Sequence, residues 1–301
     1  MRFDDQLSSL ETKPILYEQH MHTPLCRHAV GEPQEYAAVA HQRGLAGIIV
    51  TCHNPWPNGY MADARMLPDQ WSEYLELVAK AREACAGWCD IRVGVEADYW
   101  PGHEAFVAKL IESAPMHHVL GSVHPYGEYQ DIYRRAGDLK FQEHYFDHLA
   151  AAAESRLFDT IAHPDLVKNM VPSWSVSRIM PVIQRALDRI AATGVAMELN
   201  TSGLNKTVPE MNPGPEMLRE MAIRGIPLVI GSDAHWPSRA AAQWEQAMDN
   251  AEAAGYREIS FFLDRKRKDI PIHIARSSLR PIAPDPVPDK EWSVRAKVRA
   301  A

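Results

Sequence analysis

Cysteine is scarce in this chain: four residues in 301, Cys26, Cys52, Cys85 and Cys89. They form neither the CxxC pairs of a zinc ribbon nor a dense disulfide framework, so reduced thiols are expected. No uninterrupted apolar run approaches the roughly 20 residues that span a bilayer, and the opening stretch MRFDDQLSSLETK has no apolar core that could act as a signal. A cytoplasmic protein without a membrane partner is the expectation. Basic residues are outnumbered, 32 Lys and Arg against 39 Asp and Glu, for a formal charge of -7. Nucleic-acid binding through phosphate neutralisation needs clustered cations and is not expected. Internal repeats and low-complexity tracts are also missing, and nothing in the pattern reports on oligomeric state.

What is present is a 46% hydrophobic composition, enough for a large core, at a length that a closed α/β barrel fills as one domain. Short β-branched runs alternate with amphipathic stretches throughout, the order of parallel strands joined by crossover helices. The strand candidates are ILYEQHMH, AGIIVTCH, IRVGVEAD, HVLGSVH, FDTIAH, VAMELN and IPLVIGSDAH. Several are near-continuous apolar runs, as strands covered on both faces should be. Helical stretches separate them, and most end near a glycine. The expected layout is one domain over 1–301: a core of about 15–264 and a C-terminal strap over 265–301 that is rich in Pro, Lys and Arg and ends loosely.

The strand ends share one property. They carry His20 and His22, then His53, Glu96, His124, His163, and finally Asp233 and His235. In a parallel barrel all these ends meet at one face, where active sites of such barrels are built. In HMH the histidines stand at i and i+2, so both point to the same side of a strand and can grip one ion. Imidazole and carboxylate suit zinc, manganese or iron, and no thiol is expected to be placed to select a softer ion. Six candidate histidines and two carboxylates are too many for one tetrahedral ion, which implies two or three divalent metals. Met21 points away.

Other polar residues take structural readings. His41, His103, His117, His118 and His273 are assigned nothing. His144 and His148 stand at i and i+4 in FQEHYFDHLA, a spacing able to bind metal, but that helix is expected outside the barrel. Asp98 is expected to point outward along the strand edge and to orient a neighbour, and Cys26 and Cys52 to be small packing residues.

The segments HMHTPLCRH, TCHNP, GVEADYWPG, GSVHPY, IAHPDL, ELNTSGL and GSDAH, in this order from roughly Tyr17 to Trp236, together resemble the PHP (polymerase and histidinol phosphatase) family, and its histidinol-phosphatase branch most. The tail ISFFLDRKRKDIPI is similar to how that branch closes. The resemblance implies a distorted (β/α)7 barrel, TIM-barrel-like, with a trinuclear metal site that hydrolyses phosphoesters. It implies a first ion held by His20, His22, Glu96 and Asp233, with Glu96 bridging to a second held by His124 and His163. A third would be held by His28, His53 and His235. Every ligand position is filled, unlike modules of the family that have lost catalysis.

The chemistry implied is hydrolysis of a small phosphate monoester, histidinol-phosphate-like, by a metal-bridging hydroxide, with Asp233, Glu96 and His235 as the catalytic set and Asp233 accepting the water proton. The alternatives are the same cluster acting on a nucleotide or phosphodiester, iron-dependent oxidation of a small substrate, or a non-catalytic module using metal to hold a partner, against which full ligand retention argues. Relatives tend to carry arginine beside NTSGL; here Asn205 stands there, and Lys206 or Lys168 is expected to replace it as the phosphate cation. Asn200 and Asp165 are expected to orient ligands or substrate. Trp56 and Tyr60 could wall the pocket or pack their own loop, with equal weight.

Overall fold

A computed structural model describes residues 14–282, so the opening stretch and the end of the expected strap lie outside the described residues. Among those described, eight parallel strands come in order: β1 (Tyr17–Glu18), β2 (Gly47–Val50), β3 (Asp90–Val93), β4 (Val95–Asp98), β5 (Val119–Ser122), β6 (Thr160–Ile161), β7 (Ala196–Asn200) and β8 (Leu228–Gly231). Between and after them lie α1 (Pro33–Gln42), α2 (Trp71–Ala84), α3 (Glu104–Glu112), α4 (Gly127–Tyr133), α5 (Asp138–Glu154), α6 (Val176–Ala191), α7 (Pro215–Ile223) and α8 (Trp244–Ala254). The short helix α4 was not expected from the sequence. A hairpin of β9 (Glu258–Leu263) and β10 (Lys266–Pro271), then α9 (Ile272–Ser278), complete the order.

Hydrogen bonding groups the strands into β1-β2-β3 and β4-β5-β6-β7-β8-β9-β10. The two ladders share one physical strand, since β3 and β4 are the halves of a run bent at Gly94. The first half pairs with β2 and the second with β5. At this bend a Cβ would stand 2.5 Å from the His118 carbonyl oxygen and 2.9 Å from the Ile49 and Thr51 methyls, so glycine is required. Tyr74 of α2 braces it, its hydroxyl 2.7 Å from Val50 O and 2.8 Å from Gly94 O. Single bridges, His53 with Glu96 and Met21 with Ala234, join the ladders at the strands' C-terminal rim. The result is a distorted α/β barrel of seven strand positions, β3 and β4 counting as one.

The helices form the outer layer because each has one apolar stripe. In α6 the buried residues are Ile179, Ile183, Ala186, Leu187 and Ile190, spaced by three and four, while Arg178, Arg185 and Asp188 are exposed. Each such aliphatic side chain contributes about 1.5–3 kcal/mol on burial. None of the helices in the described residues is long and apolar enough to cross a membrane.

The end opposite the rim is closed by the hairpin, whose first strand lies ahead of the expected strap. Its turn, Asp264–Arg265, has φ of 52° and 57°, the two positive values of a tight hairpin turn. Arg265 is held there by its guanidinium on Asp159 at 3.0 Å and on Leu157 O at 2.7 Å. Phe262 packs with Ala196 and Val229 and stacks on the His118 ring at 5.0 Å. His118 itself is buried, with Nε2 2.9 Å from the Thr160 hydroxyl, and burial pushes its pKa down to about 3. It is therefore a neutral core residue.

Replacing Phe262 by Ala empties this plug. The substitution is expected to cost about 3–5 kcal/mol, read as a lowered urea midpoint, with metal content unchanged because the rim lies at the other end of the barrel. An unshifted midpoint would show that the hairpin is not part of the cooperative core.

Candidate metal centre

The rim gathers donor atoms closely enough to test whether ions fit. His20 Nε2 is 3.6 Å from both Glu96 Oε2 and Asp233 Oδ1, and His22 Nε2 is 3.7 Å and 3.0 Å from the same two oxygens. Around a four-coordinate zinc with bonds of about 2.0–2.1 Å, neighbouring donors stand about 3.3 Å apart. These four distances are near the donor spacing of one coordination shell, and His20, His22 and Asp233 form a group whose ligand atoms all lie within 4.8 Å of one another. On the other oxygen of the same carboxylate, Glu96 Oε1 is 2.8 Å from His163 Nε2 and 3.6 Å from His124 Nε2. His22, His28, His53 and His235 form a packed group, with His22 on His235 at 4.0 Å and His28 on His235 at 4.6 Å between ring centroids. His20 Nε2 and His235 Nε2 are buried atoms without a hydrogen-bond partner, and His53 Nδ1 and Glu96 Oε2 meet only each other, at 2.6 Å. Such orphans are costly unless something else satisfies them, so the donor set fits divalent cations.

The electrostatics agree. Burial alone would raise the Glu96 carboxyl, but His53, His20 and His124 hold it well below the usual range. Burial, with His22 and His28 nearby, pushes His235 well below its ordinary value, and burial takes His53 down to about 4. Both rings are therefore neutral and able to ligate. His20 goes the other way: burial opposes its charge, but Glu198, Asp233 and Glu96 raise its pKa well above the ordinary value, which marks a place where a cation can stand in for that proton. The cluster is a well for positive charge. His163 and Asp233 have φ of 26° and 49°, strained values of the kind that collect at functional sites.

Beneath the donors lies a supporting layer that the sequence reading mostly missed. Glu198 Oε1 is 2.7 Å from His20 Nδ1, and its Oε2 accepts from His163 N at 2.8 Å and Asn200 Nδ2 at 3.0 Å. The carboxylate fits because residue 231 is glycine; a Cβ there would stand 2.0 Å from Glu198 Oε1. Glu18 accepts from His20 N, Ser232 N and Oγ, and Ala241 N, tying the end of β1 to the end of β8. Asp98 does not point outward: at i+2 from Glu96 it shares that residue's face of the strand. It is 4% exposed, 2.6 Å from His124 Nδ1 and paired with buried Arg65 at 2.6 Å. Arg65 and His124 keep it ionised against burial.

One expectation for the substrate side needs correction. Lys168 cannot reach a phosphate: its side chain is wholly buried, and its ammonium is used by Asp165, Glu210 and Met211 O at 2.8–3.0 Å. Asn200 holds Glu198, which backs His20, and Ser202, in line with an orienting role. Asn205 Nδ2, beside Lys206, is buried without a hydrogen-bond partner. Lys206 lines the cleft, with Nζ 3.5 Å from Asp233 Oδ2, beside Ser202, whose hydroxyl donates to the same oxygen at 3.0 Å. The cleft encloses about 560 Å³, counting space that communicates with solvent. Its aromatic wall is Tyr126 and Trp236, not Trp56 and Tyr60. Trp56 packs on His103, and Tyr60 packs on Trp100 beneath the Arg65 guanidinium. His144 and His148 lie on α5 against Tyr133, away from the rim. The thiols of Cys26 and Cys52, expected to be mere packing, lie within 4.8 Å of a ligand-type nitrogen of His22.

A family model described as the PHP domain matches residues 18–202. A Deinococcus radiodurans protein named "Probable histidinol-phosphatase" is 38% identical over 262 residues, covering 82% of this chain and 96% of its own length. The Bacillus subtilis protein named "Histidinol-phosphatase" is 26% identical, covering 72% and 92%. Among solved structures, histidinol phosphate phosphatase from Lactococcus lactis, crystallised with zinc, L-histidinol and phosphate, superposes with a TM-score of 0.69 at 19% identity, covering 84% of this chain and 98% of the other. That likeness bears on the fold.

Glu198→Gln removes the negative charge behind His20 while keeping its shape. Metal affinity is expected to fall by about 10–100-fold, measured by chelator competition, with the circular dichroism spectrum unchanged. Equal affinity in the variant would mean that His20 does not ligate, or that Glu198 does not tune it.

Proposed function

The chain belongs to the PHP domain family, and from that membership we propose that it is a metal-dependent phosphatase cleaving a small phosphate monoester of the histidinol-phosphate kind. The observation that carries this reading is the shell of His20, His22, Glu96 and Asp233 at the floor of a cleft with one lysine, Lys206, at its wall. The names of the relatives support the substrate class.

In this reading His20, His22, Glu96 and Asp233 hold one divalent ion, Glu96 with His124 and His163 a second, and His28, His53 and His235 a third, whether zinc, manganese or iron. When bound, such ions supply Lewis acidity and a nucleophile available at neutral pH. The chain's own residues do the rest. Glu96 spans two sets because its two oxygens face different imidazoles. Asp233 is ionised and accepts the proton of the attacking water; burial opposes its charge, but His20 and Lys206 keep it negative. Ser202 fixes Oδ2 of Asp233, so the other oxygen is aimed at the cluster. Lys206 adds a point charge for a phosphoryl oxygen, and Tyr126, Leu166 and Trp236 give the organic group an apolar wall that excludes water.

L-histidinol phosphate, tested among a panel of phosphorylated metabolites, is expected to release phosphate in a reaction that chelators abolish. Glu96→Gln should lower kcat by about a hundredfold or more without unfolding the barrel. Lys206→Met should lower kcat/KM by about 10–100-fold, the loss of one charge-assisted contact. Oxygen consumption without phosphate release would replace this reading with oxidative chemistry on the same cluster.

A further inference from the structure

Two buried thiols adjoin the cluster, and Cys26 also lies within 4.8 Å of ligand-type nitrogens of His28 and His235. Cys26 ends the single turn Pro24–Cys26, and Cys52 directly precedes His53; both are 0% exposed. Their sulfur atoms and one nitrogen of His22 all lie within 4.8 Å of one another. His22 Nε2 is engaged with Asp233, which leaves Nδ1 buried and without a hydrogen-bond partner. The Thr23 hydroxyl already donates to Cys52 Sγ at 3.2 Å, and the Cys52 thiol donates to Thr23 O at 3.7 Å.

We propose that Cys26, Cys52 and His22 form a further cation site that takes a soft, thiophilic ion of the zinc, cadmium or copper(I) class. Two sulfurs and one imidazole prefer such an ion, whereas the oxygen-bearing shell around Glu96 accepts harder ones. Binding a divalent ion releases one proton from each thiol, so the charge of two thiolates and one ion sums to zero, which lowers the cost of burial. The Thr23 hydroxyl stays as a donor to the Cys52 thiolate, and the thiol's own bond to Thr23 O is given up. Because His22 faces Asp233 with its other nitrogen, occupancy here pulls on the ring that the first ion set needs. If both nitrogens are metal-bound, the ring also loses its remaining proton. A soft ion at this site therefore competes with the cluster for His22, and through Cys26 it also adjoins His28 and His235. The assignment does not depend on which reaction the cluster performs.

The test is titration of the metal-stripped full chain with cobalt(II) alone, followed by absorption. Sulfur bound to cobalt gives a near-ultraviolet charge-transfer band; imidazole and carboxylate give only the weaker visible bands. The near-ultraviolet band is expected in the native chain and is expected to fall at least tenfold in both Cys26→Ser and Cys52→Ser, with the visible bands retained. Saturation without the band, or its survival in both variants, overturns the proposal. Should either variant fail to fold, X-ray absorption on the cadmium- or zinc-loaded native chain decides: sulfur scatterers, at about 2.3 Å for zinc, support the site, and a purely nitrogen and oxygen shell overturns it.

Discussion

Everything at the rim is organised around one buried carboxylate. Glu96 is 0% exposed, yet nitrogens of His20, His22, His53, His124 and His163 all lie within 3.7 Å of it. A bare carboxylate in such a place costs several kcal/mol, and that cost is met only by positive charge close by. The fold supplies the approach from every side. The bend at Gly94 turns the second half of its strand toward β5, the bridge to His53 fixes one neighbour, and the bridge from Met21 to Ala234 brings the first and last strand ends together. The same bridges that bring the two ladders together at the rim also bring the donors together.

The parts of this arrangement that were legible in the sequence are those fixed by parity and position. His20 and His22 at i and i+2, and polar donors on successive strand ends, can converge only if the strands are parallel and closed, so composition and order together sufficed. Asp98 was misread although the same parity rule places it on the face of Glu96. Glu198 stands two residues before Asn200 within VAMELN and should have been seen by that rule as well; a lone carboxylate inside an apolar strand is a signal of a buried partner. Lys168 could not be told from Lys206, because both follow strand ends in short turns and only the surrounding chain decides. In the fold Asp165 and Glu210 claim the first, and the second is left at the cleft. The hairpin that closes the far end is carried by the run ISFFL, whose strand character lies in its β-branched and aromatic residues and not in any donor at its end. The thiols escaped because Cys26 and Cys52 are 26 positions apart and meet only after β1 and β2 pair.

Two lysines with opposite fates show how the cleft sets its own charge. Lys168 joins Asp165, Glu210 and the Met211 carbonyl, and Asp165 also accepts from Asn212 and from Gly214 N. This closed network pins the chain that runs from Lys206 to the start of α7. Rigid support of that kind lets a flexible side chain present its charge in one place, which a lysine, lacking the fork of arginine, needs more.

The backing of the imidazoles differs from one set to the next, and this grades the ions they are proposed to hold. His20 and His124 each rest on a carboxylate, Glu198 and Asp98. His28 and His235 rest on backbone carbonyls, of Cys26 and Asp233. A carboxylate behind the ring makes its other nitrogen the better donor, because the ion's charge is shared with a negative partner; a carbonyl offers only a dipole. The first two sets also contain Glu96 or Asp233, whereas His28, His53 and His235 bring no charge. In the proposed third set the only carboxylate at hand is Glu96, 2.6 Å from His53 Nδ1, so its residues would hold an ion through neutral imidazoles with that charge shared from the neighbouring sets.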